Sequence, residues 1–249
     1  MTPRYPYFTP IYSLNHPTGI GFGLTASLLL RPATTVIVTI RSDKTSKEEL
    51  TALPLGKDSK LIITYLDFDV EHTHDTSLER NTQGVHRDLT TAHKITKIDC
   101  IVANAGLGSS FRPTLSTPYS SLVNHFQVNT LGPISLFQSL YPLLAQDSKF
   151  ILISSSLGSV AAMEGKAPTL AYGVSKSGAN YFVRKVHYEH DGIVAVAIHP
   201  GWVKTANGQN FADSIGVKEP PMTLDDSVKG VLKQVSANWK AEGELANMR

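Results

Sequence analysis

Six short apolar runs, at residues 11–14, 35–40, 61–66, 98–103, 150–153 and 193–198, are separated by stretches long enough to form helices. Residues 35–40 read Thr-Val-Ile-Val-Thr-Ile, β-branched and without polar alternation, as a strand covered on both faces should be. A chain that alternates such strands with helices has few ways to bury them. Parallel strands need crossovers, the crossovers are helices, and the helices cover both faces of one sheet. The expected fold class is α/β, a doubly wound parallel sheet, with any ligand crevice at the carboxyl ends of the strands. Length allows a single domain over residues 1–249 with a sizeable core. No seventh apolar run follows the helical pattern at 225–239, so a seventh strand is either absent or takes the form of an irregular segment at 241–248.

Composition excludes several classes. Lys and Arg number 23 against 21 Asp and Glu, which gives no charge excess for nucleic acid or an anionic membrane. The N-terminal stretch has neither a signal-peptide pattern nor a membrane span, and a cytoplasmic location is expected. Cys100, the only cysteine, lies in an apolar run and reads as a buried, unreactive thiol. The pattern Glu71-His72-Thr73-His74-Asp75 has no further ligands in register and reads as solvated surface, so no metal site is expected.

The first run leads into Asn15-His16-Pro17-Thr18-Gly19-Ile20-Gly21 and then a helical pattern through Leu24, Leu28 and Leu29. Strand, glycine turn and helix open a Rossmann-type dinucleotide fold. Its glycines admit a pyrophosphate, and the helix N-terminus offers N–H groups and a positive dipole end. At the end of the second run stands Arg41, where a carboxylate would suit the ribose hydroxyl of NAD and an arginine suits the 2′-phosphate of NADP. Asp43 is the competing residue, as a helix cap or a ribose ligand. NADP(H) is the expected cofactor.

Chemistry is concentrated further on. Tyr172 and Lys176 are four apart in Ala171-Tyr172-Gly173-Val174-Ser175-Lys176, on one face if the segment is helical. An ammonium about 4 Å from the phenol, at an effective dielectric of about 20, would favour ionisation by about 4 kcal/mol and bring the tyrosine toward working pH. Ser154-Ser155-Ser156 closes the fifth run, and one of these hydroxyls could steady a carbonyl oxygen. Asn129 is an amide inside an apolar helical stretch beginning near Leu122 and reaching about Leu144, with a kink expected at Pro133. Residues 157–170 are expected to wall the substrate pocket, and 206–222 to be a mobile lid loop.

The order of these pieces resembles the short-chain dehydrogenase/reductase family over most of the chain. The motifs are Gly19-Ile20-Gly21, Asp67, Asn104-Ala105-Gly106, Asn129, Ser155 with Tyr172 and Lys176, and Pro200-Gly201. The phrases Ala103-Asn104-Ala105-Gly106-Leu107-Gly108 and His199-Pro200-Gly201-Trp202-Val203-Lys204-Thr205 resemble fungal ketoreductases within it. The resemblance implies that Ser155 holds the carbonyl, Tyr172 gives the proton, Lys176 lowers the tyrosine pKa and binds the ribose, and Asn129 links Lys176 to water. It also implies cofactor contacts from Asn15, Thr18, Gly19, Ile20 and Gly21, from Arg41 and Asp67, and from Asn104, Ala105 and Gly106. Pro200, Gly201, Val203 and Thr205 complete that set. Asn15 takes the place of the family's first glycine. The implied activity is reduction of a ketone, aromatic and polyketide-like, in a homo-oligomer. The same site run as an alcohol dehydrogenase, or a non-catalytic dinucleotide-binding scaffold, remain as alternatives.

Overall fold

The structure is a computed structural model that describes residues 6–10, 19–42, 44–67 and 77–237. Strands β1 (Pro6–Pro10), β2 (Thr35–Ile40), β3 (Lys60–Tyr65), β4 (Ile98–Ala103), β5 (Leu144–Ile153) and β6 (Val194–Ile198) form a parallel sheet in the order β3-β2-β1-β4-β5-β6. That is the doubly wound α/β order, with its switch point between β1 and β4. Six strands are present among the described residues, and 241–248 lie outside them.

The helices are α1 (Ile20–Leu29), α2 (Glu48–Thr51), α3 (Ser77–Thr91), α4 (Tyr119–Phe126), α5 (Gly132–Leu140), α6 (Leu170–Glu189), α7 (Ala206–Ser214) and α8 (Leu224–Ser236). Strand alternation divides the core between the two faces. Ile101, Phe150 and Leu152 join Leu89, Leu136 and Val183 of α3, α5 and α6. Cys100, Val102, Ile151 and Ile153 join Leu24 of α1 and Val228, Val231 and Val235 of α8. Burial pushes the Cys100 thiol up to about 12, which keeps it protonated and inert.

Several elements differ from expectation. The first strand is Pro6–Pro10, whereas residues 11–14 lie outside the described residues. Its prolines occupy the first and last positions, where a missing N–H costs the ladder least. The long helix breaks before Pro133: Gln127–Leu131 is a π-turn in which the Gly132 N–H donates to Gln127 O. Asn129 is at its centre. Pro133, four residues later, has no N–H to offer the Asn129 carbonyl, so the break falls at the asparagine. The last helix ends at Ser236, where Lys149 Nζ donates to Val235 O at 3.0 Å and Ala237 O at 2.6 Å.

The expected lid loop begins as a helix. Thr205 caps α7 by accepting from Gly208 N at 3.2 Å, and Met222 pairs with the segment before it, donating to Trp202 O and accepting from Lys204 N.

Candidate active site

A cavity of about 950 Å³ opens at the carboxyl ends of β4, β5 and β6, between the first turn of α1 and helix α7. The end of β5 is joined to α6 at successive residues. Ile153 O accepts from Lys176 Nζ at 2.9 Å, and Ser154 Oγ donates to Asn180 Oδ1 at 2.5 Å, one helical turn further on. Ser156 N donates to His199 Nδ1 at 3.2 Å. Between them Ser155 turns its hydroxyl to the cavity beside Tyr172 and accepts from Leu157 N at 3.2 Å. The three serines, equivalent as a string of letters, therefore have three different surroundings. Gly158 makes this close approach possible, because a Cβ there would lie 2.7 Å from Lys176 Cβ.

Lys176 is 3% exposed, and burial lowers its ammonium to about 8. Tyr172 moves the other way. Burial pushes its phenol up to about 12, and the facing Ser155 hydroxyl pulls weakly back. The expected lowering of the phenol by the lysine is absent in this geometry. Nζ lies 5.8 Å from the ring centroid and is turned to the Ile153 carbonyl, so burial outweighs it at the phenol.

Asn129 is wholly buried with its amide fully used: Oδ1 accepts from Leu107 N at 2.7 Å, and Nδ2 donates to Leu107 O and Ser175 Oγ, both at 2.9 Å. Ser175 Oγ in turn donates to Tyr172 O at 2.7 Å. The side chain thus ties the loop after β4 to α6. Gly106 is the point where Asn129 and Lys176 converge, since a Cβ there would meet Asn129 Oδ1 and Lys176 Nζ, each at 3.5 Å.

The glycine turn fits a phosphate group. Gly19 has φ of 125°, a conformation that favours glycine, with open space where a Cβ would be, and no described side chain caps α1. Gly19, Ile20 and Gly21 line the cavity, as do Asn104, Gly106, Pro200, Gly201, Val203 and Thr205. Ala105 instead packs into the core. Gly201 has φ of 89°, and a side chain there would run into Met222 Sδ. Arg41 and Asp67 lie at the ends of β2 and β3, away from the cavity lining, in an ion pair at 3.8 Å. Asn15, Thr18, Asp43, His72 and His74 lie outside the described residues.

Phe111 and His125, which no motif points to, complete the cleft with Phe211 of the expected lid and Trp202 of the Pro-Gly phrase. Phe111 stands 5.7 Å from the Tyr172 ring and 5.1 Å from Phe211, which is 5.2 Å from Trp202. These rings form an aromatic roof. His125, 1% exposed, accepts at Nε2 from Ser109 N at 3.2 Å and donates from Nδ1 to Ser121 O at 2.7 Å; burial lowers its pKa and keeps it neutral. Its ring meets Tyr172 edge-on at 6.4 Å. His199 is likewise lowered by burial.

A dinucleotide fold with Ser, Tyr and Lys converging at the carboxyl end of its sheet defines an oxidoreductase class, and the chain belongs to the short-chain dehydrogenase/reductase family. The family profile described as enoyl-(acyl carrier protein) reductase matches residues 15–220. Among curated proteins, the norsolorinic acid ketoreductase nor1 of Dothistroma septosporum is 37% identical over 230 residues, covering 90% of this chain and 83% of that one. The norsolorinic acid ketoreductase of Aspergillus parasiticus is 36% identical, over 89% of this chain and 81% of its own. An NADPH-bound carbonyl reductase from chicken fatty liver superposes with a TM-score of 0.74 at 25% identity, over 93% and 87% of the two chains.

Burial of Lys176 has a measurable consequence. Between about 8 and the ordinary lysine value of 10.5, the unfolded chain holds a proton that the folded protein does not, so this residue makes stability rise with pH across that window. Wild type should therefore gain on Lys176→Met in urea unfolding as pH increases from 8 to 10.5, with a constant difference below 8. Cys100 and Tyr172 act in the opposite sense at the alkaline end, equally in both proteins. Parallel curves would mean that the ammonium is not the buried charge.

Proposed function

We propose that the protein reduces a ketone on an aromatic, polyketide-like substrate, with NADP(H) as cofactor. The observation that carries this reading is the convergence of Ser155, Tyr172 and Lys176 under the aromatic roof of Phe111, Phe211 and Trp202. The named activity of the two ketoreductase relatives supports the reaction and the substrate class. Gly19, Ile20 and Gly21 with the N-terminus of α1 would hold the pyrophosphate, and Lys176 the ribose. Asn104, Gly106, Pro200, Gly201, Val203 and Thr205 would line the rest of the cofactor's seat. NADP(H) would supply the hydride.

The protein's own groups do the remaining work. Ser155 donates a hydrogen bond to the carbonyl oxygen, and Tyr172, which burial keeps protonated, delivers its proton to that oxygen as charge builds there. Lys176, with its value near 8, can pass a proton on at neutral pH. The Asn129 carbonyl, which Pro133 cannot engage, is the group suited to lead water toward it, because the Asn129 amide is already committed. Run in reverse, the same groups would oxidise an alcohol.

Tyr172→Phe should lower turnover of an aryl ketone by about 10²- to 10⁴-fold, the usual contribution of a positioned acid, while the NADPH dissociation constant changes little. A variant turning over at the wild-type rate would remove Tyr172 from the mechanism.

Arg41 supports NADP(H) over NAD(H), since the Asp67 partner orients its guanidinium at the strand ends. A charge-assisted bond to phosphate contributes about 1.5–3 kcal/mol, or about ten- to a hundredfold in affinity. Arg41→Ala should weaken NADPH by that factor and NADH hardly at all in fluorescence titrations at one salt concentration. Equal losses for both would reject the assignment.

Pairing with a second copy is supported by an exposed stripe of Tyr119, Val123 and Phe126 on α4 beside Val174 and Tyr181 on α6. Sedimentation should give twice the chain mass of 27.1 kDa, and Tyr181→Glu should shift it toward one; a monomeric wild type would end this reading.

A further inference from the structure

The loop after β4 runs along the cavity with no regular secondary structure, so its backbone groups need partners from elsewhere. From Gly106 O to Gly108 O, five consecutive groups are taken by asparagine side chains. Asn129, from the π-turn, holds both polar groups of Leu107 at 2.7 and 2.9 Å. Asn207, at the start of α7, donates to Gly106 O at 2.9 Å and accepts from Gly108 N at 3.2 Å. Asn210, one turn later, donates to Gly108 O at 2.9 Å. A Cβ on Gly108 would lie 3.1 Å from Asn207 Cγ, so the loop lies flush against the helix.

The two attachments differ in kind. Asn129 is buried in the body of the protein, whereas Asn207 and Asn210 are exposed and reach the loop across the cavity rim. Helix α7 also carries Phe211, whose ring meets Phe111, and Phe111 meets Tyr172. The asparagine contacts therefore fix where the roof stands relative to the reacting tyrosine.

We propose that Asn207 is a positioning residue that, with Asn210, latches α7 to the Gly106–Gly108 backbone and so sets the aromatic roof over the substrate. This rests on the reading of the cleft as a ketone-reducing site. The latch acts on substrate fit: Ser155, Tyr172 and Lys176 are held by β5 and α6, independently of α7. Asn207 is polar at both ends of its amide because one end faces a carbonyl and the other an N–H. A carboxylate of the same shape would keep the acceptor, lose the donor and oppose Gly106 O.

The test uses the full chain with Asn207→Ala, Asn207→Asp and Asn210→Ala, read in two ways. Amide hydrogen exchange without ligand should accelerate about tenfold across residues 208–214 in Asn207→Ala, where two bonds are lost, and about threefold in Asn210→Ala, where one is lost. With NADPH and a bicyclic aryl ketone, the ketone KM of Asn207→Ala should rise about tenfold while kcat stays within about threefold of wild type. Asn207→Asp should match the alanine variant at pH 8. Its KM should return toward that of wild type, measured at the same pH, as the carboxyl is protonated near pH 4 to 5 and regains a donor for Gly106 O. Unchanged exchange in Asn207→Ala overturns the latch. Faster exchange with an unchanged KM, or an Asn207→Asp defect that does not recover in acid, overturns the positioning role. A wild type that turns over no ketone rejects the reductase reading, and the exchange rates then decide the latch alone.

Discussion

The ammonium of Lys176 is a charge almost wholly buried at the inner wall of the cavity, held by a neutral carbonyl at 2.9 Å, and much of the surrounding structure follows from that placement. Burying an amine without a carboxylate against it favours loss of its proton, and burial lowers Lys176 accordingly. It also requires close packing on the approaches. Gly158 admits α6 against the turn after β5, and Gly106 leaves room at the end of the side chain. Ser177 Oγ and Asn180 Nδ2 both donate to Gly158 O, so the turn that carries Ser155 is bound to the helix that carries Tyr172 and Lys176. The hydroxyls of Ser155 and Tyr172 are thereby placed on rigid elements, in keeping with the accurate alignment that the proposed hydride and proton transfer would need.

Much of the fold was legible in the sequence because its signals are local. β-branched runs with helical stretches between them specify a doubly wound sheet almost by themselves, and the order β3-β2-β1-β4-β5-β6 follows from parallel crossovers. The misreadings arose where a local signal was weak or ambiguous. Pro6 and Pro10 disguised the first strand, although prolines are acceptable at strand ends. Pro133 drew attention to itself as the site of a kink, while the disturbance sits at Asn129, the residue left without a proline N–H. Polar residues at 206–214 read as loop, but Asn207 and Asn210 are polar because they bond a distant backbone.

The site was legible as a set of residue types and less so as chemistry. Spacing placed Tyr172 and Lys176 on one helix face, and β5 geometry separates Ser155 from its two neighbours. What spacing could not give was the balance between charge and desolvation. A four-residue separation suggests a strong lysine field, whereas burial raises the phenol and lowers the amine together. The roof as a unit was not legible: Phe211 falls in the expected lid and Trp202 in the Pro-Gly phrase, but no sequence period links them to each other or to Phe111.

The two sides of the cavity are held in different ways, and this difference is the last consequence of the buried lysine. Around Lys176 the packing is close, since Gly158 and Gly106 let α6 and the Asn129 amide approach, and buried hydrogen bonds hold that side. The roof carries no such constraint: its rings meet at 5.1 to 5.7 Å, and its helix is attached through exposed asparagines. Phe211, at 8% exposed, is covered largely by neighbouring rings and contributes apolar area without fixing any reacting atom. Changes in the roof can therefore reshape the cleft while leaving the surroundings of Ser155, Tyr172 and Lys176 as they are. A cleft divided in this way leaves one wall free to vary in sequence while the other, bound to β5 and α6, stays fixed.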